Sequence, residues 1–149
     1  MSKRTILRLR DHMFLAVGLA VFTVMGCSSP SEPSGPPTGG QRFVLDFESY
    51  KTNVAPIMSR RTCGTGGDCH GGGIRGTFHL SPQSAKDLQF DFEQVVEQVW
   101  GYAPEESPLL LKPLDPVAGG TPHSYTAFTT VEDSDYQAIL AWIREGVFE

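Results

Sequence analysis

Residues 63–73 read Cys63-Gly64-Thr65-Gly66-Gly67-Asp68-Cys69-His70-Gly71-Gly72-Gly73. Six of these eleven are glycine, a density that disfavours regular structure and lets the backbone approach something closely. Two of the chain's three cysteines lie here, six positions apart, and a histidine follows the second at once. In an oxidising compartment so close a pair of thiols is bridged or bonded to something else. The stretch therefore reads as a loop built around chemistry, set between helices.

Those helices show on both sides. Before the loop, Phe47, Tyr50, Val54, Ile57 and Met58 recur at helical spacing, which predicts an amphipathic helix over roughly 46–60. Pro56 must kink it, or divide it into two short helices that abut there. After the loop, Thr77-Phe78-His79-Leu80 is a short extended piece, and Ser81-Pro82 opens a brief helix to about Leu88. Asp91 is placed to cap a further helix whose core face carries Phe92, Val95, Val96, Val99 and Trp100. Residues 103–131 are rich in Pro, Gly and Thr and read as one long loop. The last helix is the clearest element. Ser134-Asp-Tyr-Gln137 is a capping box, Tyr136, Ile139, Leu140, Ile143 and Val147 line one face, and Gly146 is its stop. The pattern is mainly α, a small helical domain with long loops.

The N-terminus gives the compartment. Lys3, Arg4, Arg8 and Arg10 precede an uncharged, mostly apolar run of 14 residues, Met13 to Gly26. A basic segment before a short apolar one is an export signal, and the run falls short of the about 20 residues a bilayer-spanning helix needs. It ends in Val24-Met25-Gly26-Cys27-Ser28, which resembles the bacterial lipobox. Residues 1–26 are thus expected to be a lipoprotein signal peptide, and Cys27 the lipidated N-terminus. Residues 27–41, nearly all Ser, Pro and Gly, form a flexible tether. Residues 42–149 are one domain. By resemblance, Ser28 after Cys27, in place of the Asp that retains many lipoproteins at the inner membrane, favours the outer membrane of a bacterial cell envelope, facing the periplasm.

Of 12 basic and 17 acidic residues in the chain, four basic and one acidic (Asp11) lie in the signal. That leaves 8 and 16, a net charge near −8, with no basic stripe. Nucleic-acid binding is not expected, and basic partners are favoured. Removing Cys27 for lipidation leaves Cys63 and Cys69 as the thiols to be explained.

Cys69-His70 is the most informative dipeptide. Covalent haem c needs two cysteines to add to the porphyrin vinyl groups and a His directly after the second, whose imidazole reaches the iron. The usual run is C-x-x-C-H; here it is C-x5-C-H, with Gly64–Asp68 free to bulge. The order Val54-Ala-Pro-Ile57, Cys63, Cys69-His70-Gly71, Gly76-Thr-Phe-His-Leu80, Ser107-Pro-Leu-Leu-Leu-Lys-Pro-Leu114 and Tyr136-x-x-Ile139-x-x-Trp142-Ile143-x-x-Gly146 resembles the small cytochrome c domains of planctomycete-type and deltaproteobacterial exported proteins. The resemblance covers most of residues 46–147. It implies a small cytochrome c-like fold, a covalent haem at Cys63 and Cys69, His70 as proximal iron ligand, and electron transfer with redox partner proteins at a membrane held through the lipid anchor. The departure is the cysteine spacing, which bears on attachment through Cys63 more than on ligation by His70.

For the sixth iron position, Met58 is the one Met of the mature chain, and its helical register assigns it to core packing. His123 lies in Ala118-Gly-Gly-Thr-Pro-His123-Ser-Tyr125, where the resembled family has its distal loop, and is the expected ligand. His79 is expected to pack locally. Phe78, Leu80, Leu110, Tyr125, Tyr136 and Trp142 can wall a pocket or simply fill a core. Two other readings stay open: a non-haem binding or scaffold lipoprotein stapled by a Cys63–Cys69 disulfide, and a Zn or Cu site of Cys63, Cys69, His70 and His123. No nucleophile elbow or carboxylate pair argues for catalysis, so a carrier is expected and not an enzyme.

Overall fold

The computed structural model describes residues 40–65, 69–72 and 77–149. The signal peptide, Cys27 and the tether up to residue 39 lie outside the described residues, and so do 66–68 of the glycine-rich loop. The described part is helix-rich, as the periodicity predicts, with a single two-stranded sheet. Among the described residues no helix is long and apolar enough to cross a membrane.

The first helical segment is one run in three registers. A short α1 (Phe47–Ser49) leads into a π-helical turn (Tyr50–Val54), which leads into α2 (Ala55–Arg60). Pro56 has no N–H to offer the carbonyl of Thr52, and its ring crowds that carbonyl. The wider turn, closed by the Ala55 N–H on the Tyr50 carbonyl, admits the ring without breaking the helix. The segment therefore stays one continuous helical run through Pro56.

Two caps differ from expectation. The helix α3 spans Leu88–Val96, and its N-cap is Asp87, whose carboxylate accepts from the N–H groups of Gln89 and Phe90. Asp91 is buried within α3 and is committed elsewhere. It accepts from the Ser81 N–H at 2.5 Å and pairs with Lys86 at 2.7 Å. Ser81-Pro82 leads only into a single 3-10 turn, Gln83–Ala85. Val99 and Trp100 lie beyond the end of α3. Residues 103–131 are more ordered than one long loop. They hold 3-10 turns at Pro104–Glu106 and Pro116–Ala118 and the short helix α4, Pro108–Leu111.

The helix α5 (Ser134–Arg144) is capped by Asp133, one residue before the expected capping box. It packs across the π turn. Val54, Ile57, Leu110, Ile139 and Ile143 are each at most 1% exposed at this junction, and burying each such side chain contributes about 1.5–3 kcal/mol. Tyr50, Phe92 and Trp142 form an aromatic cluster beside them, with ring centroids 5.4–6.4 Å apart. The Trp142 indole N–H donates to the Asp46 carbonyl at 3.1 Å.

The domain's ends meet in a sheet that the sequence pattern is too short to announce. Strand β1 (Phe43–Val44) pairs antiparallel with β2 (Val147–Phe148), Phe43 opposite Phe148. Val147 thus belongs to an exposed strand and not to the α5 core face. Gly146 is needed less as a helix stop than for space. A Cβ there, or on Gly101, would collide with the Phe43 ring.

Candidate functional site

The site begins at the end of α2. The Thr62 N–H bonds to the Ser59 carbonyl and the Cys63 N–H to the Met58 carbonyl, both at 3.0 Å. This pair of bonds is a Schellman motif. Thr62 stands at its left-handed position with φ 58°, where glycine is usual. The motif reverses the chain and puts Cys63 against α2. Burial pushes the Cys63 thiol up to about 11, so it is protonated at neutral pH.

The glycine-rich loop closes on itself. The His70 N–H donates to the Cys63 carbonyl at 3.1 Å. In a helical C-x-x-C-H run, the same two groups are the i and i+4 partners of one turn. Here the bond joins positions 63 and 70, so it closes a longer loop. Gly71 passes so near the Gly64 carbonyl that a Cβ would collide with it. Cys63 and Cys69 are both half-buried, free thiols.

His70 is held on several sides. Its carbonyl accepts from the Leu80 N–H at 2.8 Å, its ring lies 4.5 Å from that of Phe78, and its Nδ1 bonds to the Phe78 carbonyl at 2.9 Å. Thr77–Leu80 thus lies beside it, outside any strand. A carbonyl only accepts, so Nδ1 carries the proton and Nε2 presents a lone pair. Burial lowers the His70 pKa from the usual histidine value, against the raising effect of the Phe78 carbonyl, and the neighbouring His123 and His79 lower it further. The imidazole is accordingly neutral at pH 7, the state that binds a metal.

The second histidine arrives from the chain after α4. His123 is exposed, and its Nδ1 bonds to the Tyr125 carbonyl at 2.7 Å. That bond engages Nδ1 and leaves Nε2 outside it. The rings of His70 and His123 are parallel within 9°, with centroids 6.0 Å apart. His79 does not join them. It is half-buried and tied through its backbone N–H to Gln94.

Both histidines line a cavity of about 350 Å³, inside the roughly 300–1,000 Å³ range of ligand pockets. Counting its open mouth, the atom-free space is about 1340 Å³. Cys63 and Cys69 line it too, and the walls are mostly apolar: Ile57 and Met58 from α2, Leu109 from α4, Ile139 from α5, with Phe78 and Phe128. Met58 is buried in that wall, consistent with packing. Of the aromatic and apolar residues expected as walls, Phe78 and Tyr125 line the cavity, whereas Leu80, Leu110, Tyr136 and Trp142 are core.

Arg61 is a wall residue that sequence reasoning did not single out. Its guanidinium bonds to Asp135, Asp133 and the Ala127 carbonyl and lies 5.3 Å from the centre of the Phe128 ring. The carbonyls of Phe78 and Tyr125 were equally invisible in sequence, because backbone acceptors leave no residue-type signal. Among the described residues no group of three or more His, Cys, Asp or Glu is placed to hold a metal ion. A tetrahedral Zn site needs three or four protein donors. Among the described residues the two neighbouring imidazoles fall short of that number. Compared with protein families, with characterised proteins and with solved structures, the chain matches none.

Proposed function

We propose that the chain is a lipid-anchored, monohaem c-type cytochrome that carries electrons between redox partner proteins. In this reading His70 and His123 would hold the iron, and Cys69 and Cys63 would bond the porphyrin. One observation carries it: two parallel imidazoles 6.0 Å apart, each with Nδ1 bonded to a backbone carbonyl. Two imidazoles on opposite sides of one metal, with nitrogen–metal bonds of about 2 Å, have centroids roughly 6 Å apart. A second ring N–H bonded to a carbonyl is the usual outer partner of a metal-ligating histidine.

When bound, the haem supplies one-electron exchange. The chain's own residues do the rest. The Phe78 carbonyl fixes the tautomer and angle of His70. Ile57, Met58, Leu109 and Phe128 keep water from the group's faces, and two imidazole donors without a thioether favour a lower potential than Met/His ligation. The His70–Cys63 hydrogen bond supports attachment despite the long spacing, because it keeps the two cysteine-bearing segments together. The cytochrome c-like fold, the anchor at Cys27 and the place at an outer membrane facing the periplasm belong to the same reading. The net charge near −8 favours a basic face on the redox partner.

The test is expression in a host with haem-attachment machinery, followed by denaturing electrophoresis. The native protein keeps haem on the gel, and Cys69→Ala loses it. A purified protein without Soret absorbance, its two thiols joined as a disulfide, overturns the reading in favour of a stapled scaffold.

A further inference from the structure

The two histidines are held very unequally. His70 is fixed by three hydrogen bonds to the Cys63, Phe78 and Leu80 backbones and by the Phe78 ring. His123 rides on a strap, residues 122–126, all of them exposed. One end of the strap is tied where the Thr121 N–H meets the Leu111 carbonyl at 2.9 Å. The other is tied where the N–H groups of Ala127 and Phe128 meet the Pro113 carbonyl at 2.8 and 3.0 Å. Between these anchors the described hydrogen bonds include one, from His123 to Tyr125, and it is internal to the strap. Both anchors lie on the short stretch 111–113, at the C-terminal end of α4. Segments with few backbone bonds to the body open at low free energy.

We infer that His123 is an exchangeable ligand, and that swinging the strap away opens the site to a small uncharged diatomic molecule that binds ferrous iron. This rests on the haem reading above. In the exchange the bond from His123 Nε2 breaks and its electron pair stays on the imidazole. The incoming molecule supplies the replacing pair, and no redox change is involved. Lys112 also lines the cavity, but the larger part of the wall, with Ile57, Met58, Leu109 and Phe128, is apolar, and the guanidinium of Arg61 is already committed to Asp133 and Asp135, which favours an uncharged ligand. The chain would then be a carrier that also responds to a gas.

Carbon monoxide is the probe, mixed with the dithionite-reduced holoprotein while the Soret band is followed. The native protein binds it, and the observed rate levels off at high concentration, where strap opening sets the pace. With the open state about 0.1–10% populated, His123→Ala binds about 10–1,000-fold more tightly, with a rate linear in concentration. Pro122→Gly, which keeps His123 but frees the strap backbone, raises the plateau rate. A low-spin native protein that ignores carbon monoxide, while His123→Ala binds it, overturns the inference and leaves the haem reading standing. Native and His123→Ala proteins that behave alike, or a chain with no haem spectrum, overturn both.

Discussion

The Asp135 carboxylate receives Arg61 Nε at 2.7 Å and is also gripped by Arg60, so the last turn of α2 is bolted to the first turn of α5. This junction sits next to the Thr62–Cys63 reversal, and the alignment of the cavity wall depends on it.

The hydrogen bonds from Arg60 and Arg61 hold the Asp135 carboxyl below its usual pKa, against the opposing effect of burial. A folded-state pKa below the unfolded one stabilises the fold above the unfolded value and loses that contribution as pH falls through the folded value. Asp135→Asn should therefore destabilise the domain at pH 7, by about 1.5–3 kcal/mol if it behaves as a charged hydrogen bond. The gap to the native protein should shrink below about pH 4. Urea unfolding of both proteins across pH 3–7 measures it, and a gap that does not shrink in acid would mean that shape and not charge is what Asp135 supplies.

Gly146→Ala puts a methyl into the Phe43 ring. Overpacking of this kind costs about 1–3 kcal/mol. Combining it with Phe43→Leu should recover part of the loss, since contacting residues couple. Thermal unfolding of the two single variants and the double variant gives the coupling directly.

Thr62 is a β-branched residue in the left-handed region, at φ 58°. That conformation disfavours L-residues by about 1–2 kcal/mol, while glycine's looser unfolded state takes back about 0.5–1 kcal/mol. Thr62→Gly should accordingly leave the domain as stable or up to about 1.5 kcal/mol more stable. A shift of the denaturation midpoint to lower denaturant would show that the Thr62 side chain makes a contact worth more than the strain.

What the sequence made legible, and what it hid, follows from how local each signal is. The faces of the first helical segment and α5 are written in repeated apolar spacing, so Val54, Ile57, Tyr136, Ile139 and Ile143 were readable as core. His70 and His123 were readable because a Cys-His pair and a histidine among glycines are distinctive. The caps slipped because Asp87 and Asp91, or Asp133 and Ser134, are interchangeable as local signals. Only the tertiary claim of Ser81 and Lys86 on Asp91 decides between the first two. The α2 terminus was hidden because Thr62 occupies a glycine's place, and the β1–β2 pair because two residues carry no period. The bonds of the two imidazoles to the Phe78 and Tyr125 carbonyls come from chain geometry alone.

The proposed anchor rests on Cys27, outside the described residues. Radiolabelled palmitate fed to expressing cells should enter the native protein and not Cys27→Ala, which should also keep its signal peptide. A native protein that takes up no label would leave Cys27 an ordinary residue of an export signal.

The central claim is that His70 and His123 share one iron, and electron paramagnetic resonance of the oxidised protein tests it most directly. Imidazole planes only 9° apart split the two iron orbitals that interact with them, which gives a low-spin spectrum with three well-resolved components. His123→Ala should convert it to a high-spin or externally ligated signal, while His79→Ala and Met58→Leu leave it unchanged. A spectrum that survives loss of His123 but changes with His79 or Met58, or a protein that shows no iron signal, would contradict the account.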